Sequence, residues 1–334
     1  MKKTESRKKD HVELTLNSKY QYEVSPGFQS VRFVHNSLPE LDFDSIDLSS
    51  SFLGKKIKYP FMILGMTGGY KDAEKINKDL AIAAEKHKIP MGLGSQRAMI
   101  EDKKLAKTYN VRKYAPSIPL VANIGGVQLK KYPMARVKKM IEDVDADALA
   151  IHLNPLQEII QPEGDRDFRG VLTAITKACQ ELNVPIIVKE TGAGISTDVA
   201  VKLKDAGVAY VDVSGAGGTS WSKVEYDRGK AVEGFEEWGN ATVDSIDMCR
   251  DILPLIASGG IRSGIDVAKA IALNAELAGA AYPFLKAQKK KKLDELIGTW
   301  ERQMKIVCLL TGSSNCLELK NARLIRYGRA RIFE

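Results

Sequence analysis

Four polar side chains gather at the end of one apolar run. Asp147-Ala-Leu-Ala-Ile151 reads as a short buried strand, and His152, Asn154, Gln157 and Glu158 follow it. Left unpaired in a dry interior, each such group costs about 1–3 kcal/mol, and a charge costs more. The run must therefore end where solvent, neighbours or a ligand satisfy an imidazole, two amides and a carboxylate. Glu158 is the one carboxylate of the stretch. A single carboxylate facing a phosphate-rich ligand suits Mg²⁺, which keeps several waters and borrows phosphate oxygens. Lys189 closes the run Ile186-Ile-Val188, and a charged head on a buried stem points to function. Asn123 closes a third run, where its amide can read a flat heteroaromatic ring. Ser258-Gly-Gly-Ile-Arg262, with Gly279-Ala-Ala281 after it, offers backbone N–H groups at a helix start, a setting that binds phosphate well. Arg7, Lys8 and His11 form a basic N-terminal trio that joins such a site if the arm folds over it. Each feature also has a plainer role: a satisfied core histidine, a loop ion pair, a surface lysine, a capping asparagine, a simple turn, a free tail.

These groups are far apart in sequence, so a scaffold must bring the run ends together. Eight apolar, β-branched runs predict strands: Phe61–Met66, Met91–Gly94, Leu120–Ile124, Ala148–Leu153, Pro185–Lys189, Tyr210–Ser214, Leu255–Ser258 and Leu277–Ala281. Amphipathic segments between them predict helices over Asp72–Lys88, Pro133–Val144, Arg169–Asn183, Thr197–Ala206, Thr242–Ile252 and Gly264–Leu273. Alternation at this spacing is the mark of βα units. Eight units suit a (β/α)8 TIM barrel, with a doubly wound sheet as the alternative that alternation alone leaves open. The glycine and polar clusters all follow strands, and in a barrel those ends converge on one face. Residues 1–60 lie outside the pattern and read as a basic arm plus a lid or barrel-bottom cover. Gln288–Thr311 and Asn315–Arg326 predict C-terminal helices. The segments Asn154–Phe168 and Gly215–Asn240 read as long loops, which in compact domains are more often functional than not.

The bulk numbers narrow the class. The chain has 334 residues and a net charge of +8, which suits anionic ligands. Its Lys and Arg are dispersed without an aromatic-basic repeat, so no nucleic-acid partner is expected. The dense run Lys286–Lys292 reads as a solvated helix start. No apolar stretch approaches the roughly 18 residues of a membrane span, and the first ten residues lack the apolar core of a signal peptide. Four cysteines without metal spacing fit a reduced, cytoplasmic protein.

Taken in order, Arg7-Lys8-x-x-His11, Gly65-Met-Thr-Gly-Gly69, Gly94-Ser-Gln-Arg97, Ala122-Asn-Ile-Gly-Gly126, His152-Leu-Asn-Pro-Leu-Gln-Glu158, Val188-Lys-Glu-Thr-Gly-Ala-Gly194, Asp212-Val-Ser-Gly-Ala-Gly-Gly-Thr-Ser-Trp221 and Ser258-Gly-Gly-Ile-Arg262 resemble one family. It is that of the type 2 isopentenyl-diphosphate isomerases, FMN-dependent enzymes of isoprenoid synthesis. The resemblance runs from Arg7 to about Leu285, and its Asn-Pro-Leu-Gln-Glu and Gly-Ser-Gln-Arg stretches are its specific part. It implies a (β/α)8 barrel that uses FMN and Mg²⁺, with NADPH needed to reduce the flavin although the reaction is redox-neutral. On this reading residues 1–60 are an arm and cover segment, and residues 61–334 an FMN-binding barrel with C-terminal helices. The resemblance places FMN against Met66, Thr67, Gly68, Ser95, Asn123 and Lys189, with its phosphate end at Ser214, Thr219, Gly260, Ile261, Arg262, Ala281 and Tyr282. Tyr282 stands where a smaller or basic residue is expected. The substrate diphosphate falls to Arg7, Lys8, His11, Ser95, Gln96 and Arg97, with Asn154 and Gln157 fixing the substrate and Glu158 holding Mg²⁺. Gln157, Lys189 and His152 are the implied catalytic side chains, and homo-tetramers or homo-octamers the implied assembly.

The implied reaction interconverts isopentenyl and dimethylallyl diphosphate by adding a proton at one carbon and removing one from another. An unactivated alkene is a very weak base, and no side-chain pair in this sequence supplies a strong enough acid. Reduced FMN is the implied acid and base, with Lys189 stabilising negative charge on its ring. A flavin oxidoreductase on the same barrel, such as a hydroxy-acid oxidase or a dihydroorotate dehydrogenase, shares the FMN features but needs neither Glu158 with Mg²⁺ nor the basic arm. A non-catalytic anion-binding barrel shares the glycines but needs neither Lys189 nor Gln157.

Overall fold

A computed structural model of the chain describes residues 3–229 and 232–327, and the side chains of all of these except residues 3–7 and 9. The eight apolar runs become the staves of a closed barrel: β1 (Phe61–Ile63), β2 (Met91–Gly92), β3 (Leu120–Gly125), β4 (Ala148–His152), β5 (Ile186–Lys189), β6 (Tyr210–Asp212), β7 (Leu255–Ser258) and β8 (Leu277–Ala280). Every neighbouring pair is parallel, and β8 pairs with β1 in the register Ala278↔Phe61 and Ala280↔Ile63. That pairing closes the ring and rules out the doubly wound sheet. Alternate strand residues point to opposite faces. Met62, Val121, Ala148, Ala150, Ile187, Ile256 and Leu277 accordingly fill the barrel's interior. The residues between them face a larger apolar layer shared with the surrounding helices.

The bottom of the barrel is sealed from outside the ring. The antiparallel hairpin Ser50–Phe52 with Lys55–Ile57 inserts Phe52 and Ile57 into the interior cluster. Lys55 Nζ anchors it on Asp147 Oδ1 at 2.6 Å, just before β4. The open end is therefore the one after the strands' C-termini.

Four expectations about elements change. The basic arm is a helix, Lys3–Thr15. Both long loops carry helices of their own, Pro155–Ile160 and Trp221–Gly229. The lysine-rich run spans a helix boundary rather than a helix start: Tyr282–Lys289 ends within it and Leu293–Thr311 follows it. Past the short helix Cys316–Lys320, Leu324–Arg326 is not helical but a strand, pairing antiparallel with Val31–Phe33. Arg326 fastens that strand to Asp247 through both guanidinium nitrogens, at 3.1 and 2.5 Å. A pairing over such sequence distance has no local signal, so a propensity reading continues the helix.

Candidate active site

The strand ends open into a cavity of about 280 Å³. Its walls carry Met66, Thr67, Ser95, Arg97, Asn123, His152, Asn154, Gln157, Glu158, Lys189, Ser214, Thr219, Gly260, Ile261, Arg262, Ala281 and Tyr282, with Lys8 and His11 among the lining residues. Two expected contacts stand behind the wall. Gln96 is fully buried, and its side-chain oxygen accepts the Asn123 N–H at 3.0 Å, so it braces β3. Gly68 lies against Tyr109, whose ring a Cβ at that position would strike at 2.0 Å. Arg7 falls in the N-terminal helix, but its side chain lies outside the described residues.

The N-terminal helix owes its place to one face. Lys8, His11, Val12 and Thr15 recur at helical spacing and all face the cavity. Lys8 Nζ reaches Ser95 O at 2.8 Å and Tyr109 Oη at 2.6 Å, and Tyr109 Oη donates to the same carbonyl at 2.8 Å. His11 sets its ring edge on Trp221, 5.0 Å between centroids, and its Nε2 meets Glu225 Oε1 at 2.9 Å.

Glu225 is a residue that sequence reading missed. It lies on the helix inside the second long loop, with its side chain wholly buried. Gln157 Nε2 donates to it at 3.0 Å, and Arg228 pairs with its second oxygen. Burial pushes the Glu225 carboxyl up, but the hydrogen bonds and charge of His11, Gln157 and Arg228 outweigh that and hold it below the usual glutamate value. The same carboxylate thus fixes the N-terminal helix and the amide of Gln157. Nothing in Trp-Ser-Lys-Val-Glu225 marks it in advance.

His152 is not placed for acid chemistry. Its Nδ1 lies 2.8 Å from Asn123 Oδ1, which makes Nδ1 the donor and leaves Nε2 bare. Burial first, then the charges of Lys189 and Lys8, push its pKa down to about 3. It stays neutral across the physiological range.

Lys189 is held by a group the first reading also passed over. Its Nζ donates to Glu190 O at 2.5 Å and Ser214 Oγ at 3.3 Å, and stands 3.8 Å from Asp212 Oδ2. Asp212 ends β6 fully buried, accepting from Ser258 Oγ at 2.5 Å and the Ser214 N–H at 3.2 Å. Burial raises the Asp212 carboxyl, and Lys189 opposes that rise. A charged residue closing the run Tyr-Val-Asp212 is the same signal that found Lys189. Ser214 itself takes a left-handed backbone, φ +42°, a strained choice for a residue with a Cβ.

The ends of β6 and β7 form a cradle that fits a phosphate. Gly259 and Gly260 have φ of +100° and +71°, and a Cβ on either would strike Gly215 O at 2.1 Å or Gly217 O at 2.6 Å. Glycine is required there because the two loops pack backbone against backbone. Among the described residues, the amides of Gly218, Gly260 and Ile261 donate to no other group, and all three residues line the cavity. Arg262 stands beside them, its guanidinium 5.7 Å from the ring centre of Tyr282, over which Lys286 also lies at 5.6 Å. Tyr282 is thus a cation-stacking platform at the first turn of its helix. Uncommitted donors and a held guanidinium suit the phosphate of a flavin mononucleotide.

The metal question rests on Glu158. Its oxygens accept from Asn154 Nδ2 at 3.2 Å and the Asp165 N–H at 2.8 Å, and it remains on the cavity wall. A carboxylate has about four lone-pair sites, so two bonds leave room for a cation. Among the described residues, no group of three or more His, Cys, Asp or Glu could hold a metal ion. An ion such as Mg²⁺ takes most of its oxygens from water and phosphate, so it needs few protein ligands.

Comparison with known proteins agrees with this geometry. Residues 157–326 match the FMN-dependent dehydrogenase family. The chain is 46% identical to an isopentenyl-diphosphate delta-isomerase of Pyrococcus furiosus, over 98% of this chain and 88% of that one. It is likewise 46% identical to an isopentenyl-diphosphate delta-isomerase of Nostoc sp., over 96% and 95%. A flavocytochrome b2 variant solved with sulfite bound shares the fold, with a TM-score of 0.68 at 19% identity, over 92% of this chain and 79% of that one.

Proposed function

The chain belongs to the isopentenyl-diphosphate delta-isomerases, on a barrel of the FMN-dependent dehydrogenase family, and we propose that it interconverts isopentenyl and dimethylallyl diphosphate with FMN and Mg²⁺. One observation carries the reading: the cavity carries groups able to bind an anion at two ends. The glycine amides and Arg262 follow β6 and β7, whereas Ser95 and Arg97 follow β2, with Lys8 bonded to the Ser95 carbonyl. β2 and β6 stand across the eight-strand ring from each other. One end serves the FMN phosphate, the other the substrate diphosphate.

FMN in its reduced form supplies the acid and base that no side chain here matches. The chain does the rest. Lys189, held among Ser214, Glu190 and Asp212, keeps a positive charge where the flavin ring lies. Asn154 and Gln157, the latter anchored by Glu225, orient the carbon chain. Val12, Leu64 and Leu285 line the cavity and exclude water from it. Lys8, His11, Ser95 and Arg97 bind the diphosphate, whose remote binding energy positions a small apolar end. Glu158 holds Mg²⁺ against it. NADPH serves to reduce the flavin and is not consumed in turnover. Assembly as a homo-tetramer or homo-octamer and a cytoplasmic location complete the proposal. Among the described residues, no helix is long and apolar enough to cross a membrane.

The fold likeness to flavocytochrome b2 favours a second reading, a flavin oxidoreductase. Hydride removal needs a base beside the substrate, and His152, with its pKa pushed to about 3, is a poor one. An anaerobic assay with isopentenyl diphosphate and Mg²⁺ separates the two. Dithionite should replace NADPH, one reduction should support many turnovers, and Lys189→Ala should lower kcat more than it loosens substrate. One NADPH oxidised per product formed would return the protein to the oxidoreductases.

A further inference from the structure

Gln21 lies outside the cavity, between the N-terminal helix and the barrel. Its backbone bridges Thr219 as an antiparallel partner. The Tyr22 N–H donates to Gly218 O at 2.9 Å, and the Ser220 N–H donates to Tyr20 O at 2.8 Å. Lys223 Nζ fixes the segment further by donating to Gln21 O at 3.0 Å. The Gln21 side chain then joins two residues of the cavity's phosphate end. Its Nε2 donates to Thr219 Oγ1 at 3.1 Å, and its Oε1 accepts from Arg262 Nη2 at 3.0 Å.

We propose that Gln21 is a positioning residue for the phosphate of the flavin, setting the Thr219 hydroxyl and the Arg262 guanidinium to receive it. This rests on the FMN reading above and deepens it. A threonine hydroxyl has one hydrogen and two lone pairs. With a lone pair taken by Gln21, the O–H hydrogen turns elsewhere, and the residue lines the cavity. Arg262 Nη2 is spent on Gln21 and on Gly217 O, 3.2 Å away, which fixes the plane of a guanidinium that lines the cavity. A long side chain held in its bound rotamer loses less freedom on binding, which is the general source of preorganised affinity. An amide suits this post because it donates to one ligand while accepting from the other. Glutamate accepts from Arg262 but cannot donate to Thr219, and methionine does neither.

The test compares FMN with riboflavin, which lacks the phosphate. Flavin-stripped full-length protein, wild type, Gln21→Met and Gln21→Glu, is titrated with each, following the quenching of flavin fluorescence, with a thermal melt as a check on folding. Both variants should bind FMN about tenfold more weakly, a change of about 1.4 kcal/mol. Their riboflavin affinity should stay within about twofold of wild type, and Gln21→Glu should be the worse for FMN because it adds negative charge beside a phosphate. Equal losses for both flavins, or no loss for FMN, would overturn the role given to Gln21. If wild type itself bound FMN no tighter than riboflavin, the phosphate assignment would fail instead.

Discussion

Glu225→Leu tests the buried node that joins the N-terminal helix to the second long loop. The change removes the acceptor of Gln157 Nε2 and Arg228 Nη1 and the charge partner of His11. Leaving a buried donor unsatisfied costs about 1–3 kcal/mol. Arg228 keeps Glu163 at 3.3 Å, so its share is at the low end. The sum is about 4 kcal/mol, in line with the cost of breaking a buried pair from one side. Unfolding entropy of about 2.1 cal/mol/K per residue gives about 0.7 kcal/mol per degree for this chain, so Tm should fall by about 6 °C. Function should fall with it. Gln157 and His11 lose their anchor, so substrate KM rises and kcat drops, while FMN stays bound because Glu225 touches none of its cradle. The pH dependence has a fixed sign. The Glu225 carboxyl lies below its unfolded value, so its contribution is full above about pH 4.3 and is lost as pH falls through the folded value. Melts from pH 6 to pH 3 should show the gap between wild type and variant narrowing as pH falls below about 4.3. A Tm shift under about 1 °C with unchanged KM would refute the node.

Three further outcomes follow from the site. Glu158→Gln should weaken Mg²⁺-dependent turnover while the protein stays yellow, and a variant with full turnover and unchanged Mg²⁺ dependence would refute the metal assignment. Deleting residues 1–11 removes Arg7, Lys8 and His11 but none of the residues proposed to hold FMN; KM should rise strongly, since each charge-assisted hydrogen bond is worth about 1.5–3 kcal/mol, and an unchanged KM would make the helix a mere cover. His152→Gln should leave the pH–rate profile's limbs where they are, because a histidine with its pKa pushed to about 3 does not titrate between pH 5 and 9; loss of a limb near pH 6.5 would show that it does.

The eight βα units were legible in the sequence by itself, although their closure into a ring was not. Strands buried on both faces need continuous apolar runs, and such runs were visible from Phe61 to Ala280. Their polar endings were visible too, because an interior cannot hold Asn123, His152, Glu158 or Lys189 without partners, and the C-terminal ends of parallel strands gather such groups in an open sheet as in a closed ring. Tertiary structure decided which groups meet across the ring. Lys3–Thr15 is so rich in charge that its one cavity-facing row acquires meaning only against Ser95, Trp221 and Glu225. Gln96 and Asn123 form one brace and Asn123 and His152 another, and burial beside Lys189 and Lys8 keeps the His152 ring neutral. Glu225 and Gln21 lie in segments with no periodic signal, and each bonds to a residue at least 68 positions away along the chain. Periodicity reports how a residue meets its own element's neighbours. A hydrogen bond between elements depends on where closure of the ring carries two chain segments, and that is a property of the whole fold.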